Sequence, residues 1–360
     1  MVADTAVASD VTDATEATKA VSAAGAVARS PADMAYRAPI WLPGGNLQTI
    51  WAARAARTQA GTATRWLRSR WTTPDGDFID VDRAAHASAP GAPLLVLFHG
   101  LEGSSASHYA LAFADFAAAN GLGFAVPHFR GCSGELNTAP RAYHSGDFEE
   151  IDWVLKRFAA EAPERALLAV GVSMGGNALL RWAGEFGNSA SHTVRAIAAV
   201  SSPLDLAASG HAIGRGFNRL VYTRMFLATM VPKALQKLAQ HPGLFDRDAL
   251  RGARDLHAFD NLFTAPLHGF RNTDDYWQRA SAQPLLGAVR VPALLLNARN
   301  DPFVPAGSLP TAQRVSPSVT LWQPRTGGHV GFPGADGPLA LPGHVRAMPQ
   351  AVGRWLMDHM

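Results

Sequence analysis

The apolar positions of the chain follow two patterns, and the change from one to the other sets out an architecture. Residues 93–98, 122–127, 166–172, 195–201 and 291–296 are short, nearly continuous apolar runs, as expected of strands buried on both faces. Between them, 107–119 and 147–161 have helical character. This alternation predicts an α/β fold whose mostly parallel sheet carries helices on both faces. Ahead of it, 63–73 and 78–83 read as two strands joined at Pro74-Asp75-Gly76, an antiparallel start to the sheet. A strand at 318–322 and a terminal helix at 343–358 return to the same scheme, with a helix expected near 306–315.

Three segments depart from this alternation. Residues 1–33 lack aromatic residues and are rich in Ala, Thr, Ser, Val and acids, which predicts a disordered tail and places the folded domain at 34–360. Residues 38–51 mix Trp41, Leu42, Ile50 and Trp51 with Pro39, Pro43, Gly44 and Gly45, too apolar for a surface linker, and are expected to pack near a pocket. From about 203 to 285 the chain is helix-rich, which predicts a helical cap inserted over the sheet. Within it Phe217, Leu220, Val221, Leu227 and Val231 share helical spacing, while Tyr222, Met225, Phe226 and Met230 spread apolar surface around the remaining circumference. Such a helix is either buried all round or faces something apolar. Pro232 is expected to open a second short helix, and Arg215, Arg219, Arg224, Lys233 and Lys237 to form a basic edge suited to lipid headgroups.

Charge and cysteine content narrow the partners. The 360 residues include 32 Lys and Arg against 29 Asp and Glu, a net charge of +3, and no block concentrates the excess, so nucleic acid is not an expected partner. The densest basic stretch, Arg54, Arg57, Arg65, Arg68 and Arg70, reads as the solvated face of the early hairpin. A single cysteine, Cys132, rules out an internal disulfide and a Cys-based zinc site. No apolar run reaches the roughly 18 to 20 residues that span a bilayer, and Asp4, Asp10, Asp13 and Glu16 do not suit a secretory signal. The expectation is a soluble, cytoplasmic protein with membrane contact, if any, through the cap. No metal or cofactor is expected, since no histidine pair has zinc-binding spacing and no Walker-type loop occurs.

The chemistry centres on Gly171-Val-Ser-Met-Gly175, where a buried run stops and helix formers resume. Strand, sharp turn and helix would lift Ser173 to the apex, with the helix amides facing whatever binds beside it. A serine hydroxyl needs a base, and the base a group to orient it. Of the acids after Ser173, namely Asp205, Asp260, Asp274, Asp275 and Asp301, only Asp301 sits just past a buried strand of the main sheet. Of the later histidines, His329 alone lies in a glycine-rich loop after a strand; His344 is expected in the final helix and His359 is penultimate. Ser173, Asp301 and His329 are therefore the expected triad. The backbone amides of Met174 and Leu101 are the expected oxyanion donors. His99 is expected to stabilise a turn, Cys132 to be a small packed residue, and Asp147 to cap the helix that follows it.

Six motifs in order carry a resemblance: Trp41-Leu-Pro-Gly-Gly-Asn-Leu-Gln-Thr49, His99-Gly-Leu-Glu-Gly103, Phe129-Arg-Gly-Cys-Ser-Gly134, Tyr143-His-Ser-Gly-Asp147, Gly171-Val-Ser-Met-Gly-Gly-Asn177 and Phe263-Thr-Ala-Pro-Leu-His-Gly-Phe270. The chain resembles the YheT-like branch of the α/β hydrolases from about residue 36 onward. That resemblance implies an eight-stranded, mostly parallel sheet under a helical cap. It also implies a serine esterase for medium-chain acyl esters or acylglycerols, with the family triad on Ser173, Asp301 and His329. A thioesterase or acyltransferase on the same triad, and a non-catalytic lipid or partner binder, are the competing readings.

Overall fold

Burial on both faces is what the central runs were selected for, and it is what they have. In a computed structural model describing residues 36–59, 64–337, 341 and 343–360, every residue of β3 (Leu94–Phe98), β4 (Gly123–Pro127), β5 (Leu167–Val172), β6 (Ala196–Val200) and β7 (Ala293–Leu296) is buried. With β1 (Trp66–Thr72), β2 (Phe78–Ala84) and β8 (Val319–Trp322) they form an eight-stranded sheet in the order β1-β2-β4-β3-β5-β6-β7-β8. Only the β1–β2 and β2–β4 pairings are antiparallel; β3, β4 and β5 through β8 run parallel. The tail expected at 1–33 lies outside the described residues.

One face of the sheet packs on α3 (Phe148–Glu161) and α4 (Met174–Phe186) through a core that includes Ile151, Leu155, Leu179 and Trp182. The other packs on α2 (His108–Ala119) and α12 (Ala347–Met357) through Phe113, Phe116, Val352 and Trp355. Parallel strands bring their carboxyl ends to one rim, where a sheet of this kind binds ligands. The segment after β6 rises from that rim as α5 (Leu206–Ile213), α6 (Gly216–Asn218), a π-helical turn at Arg219–Thr223, α7 (Arg224–Gln240), α8 (Arg247–Gly252), α9 (Leu256–Leu262), α10 (Thr264–Leu267) and α11 (Thr273–Ala280).

Several expectations are corrected. Residues 38–51, for which no element was expected, lead into a helix, α1 (Gly45–Gln59). Pro232 lies inside α7 and starts nothing; Met230, Val231, Ala234 and Leu235 on either side of it pack with Phe259 and Phe263, so tertiary contacts carry the helix past the missing amide. Lys237 does not join a basic edge: it is buried, and its ammonium donates to the carbonyls of Asn137 and Ala139 and to Gln240 Oε1. The helix expected near 306–315 is two single 3₁₀ turns, Ala306–Ser308 and Ala312–Arg314, kept apart by Pro310. His344 precedes the final helix and bridges to Gly334. Asp147 stands at the N-cap of α3 but makes no capping bond, because Arg141 takes its carboxylate.

Candidate functional site

Ser173 stands between β5 and α4 at φ 53°, a left-handed conformation that a residue with a Cβ adopts only when its surroundings hold it. Its N–H donates to Val200 O (2.8 Å), and its carbonyl accepts from Gly176 N–H (3.0 Å) and Asn177 N–H (3.2 Å). The turn also needs glycine beside it. A Cβ on Gly171 would lie 2.5 Å from Gly175 O, and one on Gly175 would meet Phe98 O and, at 2.5 Å, His99 O. Because the obstructing atoms are backbone, no rotamer change could make room.

Asp301 lies in the loop after β7 and His329 in the loop after β8. The structure brings both to Ser173. Ser173 Oγ is 2.9 Å from His329 Nε2, and His329 Nδ1 is 2.9 Å from Asp301 Oδ2. Asp301 Oδ1 accepts from the backbone N–H of Phe303 (2.7 Å) and Val304 (3.2 Å), which fixes the carboxylate in the loop. Phe303 also packs against the imidazole, with ring centroids 4.1 Å apart and the rings inclined by 33°.

The loop holding His329 is tied down by polar residues of the Trp41–Thr49 motif to which the sequence assigned no role. Thr49 Oγ1, on α1, accepts from His329 N–H (2.8 Å), and Gln48 Oε1 accepts from Gly327 N–H (2.9 Å) and from Asn300 Nδ2 (3.0 Å). Asn300 Oδ1 in turn accepts from Gly328 N–H (3.1 Å), and Ser201 Oγ from Val330 N–H (3.0 Å). Gln48 and Thr49 stood in the Trp41–Thr49 motif, so the available signal was a polar pair on a helix beside apolar residues.

Met174 opens α4 and Leu101 follows β3; both line the cavity that holds Ser173 and His329. Leu101 N–H donates to no other described residue. The neighbouring His99 is fully buried and held in one tautomer: Nδ1 donates to Gly100 O (2.8 Å) and Nε2 accepts from Phe129 N–H (3.1 Å). Burial, with the nearby His128, holds its pKa down at about 3, so it is a neutral strut. Cys132 is buried too, and burial pushes its thiol up to about 12, which makes it a packed residue and not a nucleophile.

The other acids are occupied elsewhere. Asp205 caps α5 through Ala208 N–H, Asp275 pairs with Arg271 and Arg279, and the exposed Asp274 meets His257. Asp260 lies buried in the cavity wall, where desolvation raises its pKa to about 6 against the opposing pull of donors from Thr264 and Trp277.

The cavity measures about 160 Å³, and its wall is predominantly apolar. The cap contributes Ile213, Phe226, Met230, Phe259 and Phe263, among others, and the sheet rim Leu101, Ser173 and His329. The outer side of the cap exposes Phe217, Leu220 and Met225 beside the exposed Arg215, Arg219 and Arg224. Among the described residues no helix is long and apolar enough to cross a membrane.

The family described as alpha/beta hydrolase fold matches residues 93–336, which include Ser173, Asp301 and His329. The chain is 38% identical over 292 residues to the putative esterase YheT of Escherichia coli, covering 80% of this chain and 84% of that protein. It is 32% identical to the mouse phospholipase ABHD3 over 72% of this chain, which spans 64% of that relative's length. Among solved structures, the Pyrococcus furiosus esterase Pf2001 superposes with a TM-score of 0.52 at 16% identity, covering 82% of this chain and 93% of that one, a likeness of fold alone. The chain belongs to the alpha/beta hydrolase fold family and, within it, to the branch that contains YheT.

Proposed function

We propose that this chain is a serine hydrolase that cleaves carboxylic esters, of medium-chain acyl groups or acylglycerols, through an acyl-enzyme. The observation that carries this reading is the unbroken relay from Ser173 Oγ through His329 to Asp301, each link 2.9 Å, at the floor of an apolar cavity. Ser173 Oγ attacks the ester carbonyl as His329 Nε2 takes its proton. Asp301, held by two backbone amides, keeps Nδ1 protonated and balances the imidazolium. The carbonyl oxygen becomes an oxyanion held by the amides of Leu101 and Met174, each contributing about 3 to 4 kcal/mol. His329 then returns the proton to the leaving alkoxide, and water repeats the sequence on the acyl-enzyme. The apolar cap wall supports an acyl chain as the group bound.

The cap's outer face supports a further reading, contact with a lipid surface. Phe217, Leu220 and Met225 would enter the interface while Arg215, Arg219 and Arg224 meet anionic headgroups. The test of the activity is a p-nitrophenyl ester series of increasing chain length, run on wild type and Ser173→Ala with fluorophosphonate labelling in parallel. Turnover and labelling that both vanish in Ser173→Ala are expected, and labelling that survives would overturn the reading. Acyl-CoA and alcohol acceptors in the same assay separate hydrolysis of oxygen esters from thioesterase and acyltransferase activity.

A further inference from the structure

The loop that carries Leu101 contains an unexpected residue. In His99-Gly-Leu-Glu-Gly103 the position at φ 57° is held by Glu102, although glycines stand on both sides of the Leu101–Glu102 pair. Glycine would adopt that conformation without strain. Glu102 instead uses its carboxylate. Oε1 accepts from the Tyr143 hydroxyl (2.8 Å), while the same hydroxyl accepts from Glu102 N–H (3.1 Å). Oε2 lies 2.9 Å from Lys233 Nζ on the cap helix α7. Tyr143 is stacked on Phe129 with ring centroids 5.6 Å apart, and Phe129 N–H is the group that His99 Nε2 accepts from. The residue next to Leu101 is thereby fixed from below by the sheet rim and from above by the cap, and its side chain is 9% exposed.

Resting on the esterase reading above, we propose that Glu102 and Lys233 are positioning residues. Their ion pair ties the cap to the loop that presents the Leu101 amide, so that the oxyanion donor is aligned when the cap is seated. The strained backbone supplies the direction of the amide, and the Tyr143 hydrogen bond to one carboxylate oxygen, with the Lys233 charge beside the other, holds the strain in place. Because the tie acts on the transition state through Leu101, its loss should appear in kcat and leave KM nearly unchanged. A lysine that bound substrate directly would do the reverse.

The test uses the full chain, with active sites counted by fluorophosphonate titration and kcat and KM measured on p-nitrophenyl hexanoate. Glu102→Gly removes both the strain and the tie, and Lys233→Met removes the tie alone. Each should lower kcat about tenfold, as displacement of a catalytic group by a fraction of an ångström does, with KM within about twofold and melting temperature retained. Glu102→Gln, which keeps the Tyr143 bond, should fall between, and Lys233→Arg should restore activity. The double variant Glu102→Gly/Lys233→Met should be no slower than Glu102→Gly, since both changes cut one connection. An unchanged kcat in Glu102→Gly, losses that multiply in the double variant, or a Lys233→Met effect confined to KM would each overturn the tie while leaving the esterase reading intact. A wild type that turns over no ester overturns both.

Discussion

On the sheet side of the cavity, Gly171 and Gly175 leave no room for a methyl group against backbone atoms. Across the same cavity the cap presents Phe226 and Met230, half-buried side chains with space around them. The first surface is set by main-chain geometry, and a change there displaces the turn that carries Ser173. The second is set by interchangeable apolar groups, and a change there alters what fits. The division separates the chemistry of the site from its choice of substrate, and it can be tested from either side.

The largest expected effect is on the sheet side. Asp301→Asn should keep the fold, because Phe303 and Val304 can still donate to the side-chain oxygen, yet lower kcat about 10⁴-fold by favouring the wrong His329 tautomer; ester turnover per folded molecule measures it, and a loss under tenfold would break the comparison at its strongest point. Gly175→Ala should lower stability by about 3 kcal/mol or more in denaturant melts, since Phe98 O and His99 O cannot yield.

The cap wall contains one test of pH. The Asp260 carboxyl is raised from 3.8 to about 6, so the folded state keeps a proton that the unfolded chain releases. Between about pH 4 and 6 the unfolded state binds fewer protons, and this residue's contribution to stability falls as pH rises, by up to about 3 kcal/mol in all. Asp260→Asn should lack that component. Melting temperatures of the two proteins from pH 4 to 7 should therefore diverge in the variant's favour, and parallel curves would remove Asp260 from the account.

Smaller effects should come from the rest of the cap. Met230→Ala and Phe226→Ala should shift the preference between short and long acyl chains by about tenfold, equivalent to 1 to 2 kcal/mol, while kcat on the best ester changes little. Replacing Phe217, Leu220 and Met225 with serine should change stability by less than about 0.5 kcal/mol each and weaken co-sedimentation with anionic vesicles. A preference unmoved by the first pair would mean that the sheet side selects substrate as well.

That Ser173, Asp301 and His329 would meet was legible in the sequence because each lies in a loop beyond a strand of the main sheet, and the sheet fixes where its strand ends emerge. The sheet was legible because its central strands are buried on both faces. What supports the site was less so. Gln48 and Thr49 sit on a helix whose start, Gly45-Asn46, reads as a turn, and their partners lie 279 and 280 residues away, beyond any local pattern. Lys237 and Pro232 were misplaced because periodicity and propensity describe a helix in isolation. The Asn137 and Ala139 carbonyls that receive Lys237, and the packing that carries α7 through Pro232, belong to the assembled fold.

The hold of α1 on the His329 loop has a consequence for synthesis. A chain emerging from the ribosome has its serine turn and most of its cap available before residue 329 exists, and even then the histidine must return to a helix made near the beginning. Contacts of such sequence separation form late. On the proposed mechanism, a partly made chain would therefore present an apolar cavity without its base, and ester hydrolysis would begin only when the two distant segments close on each other.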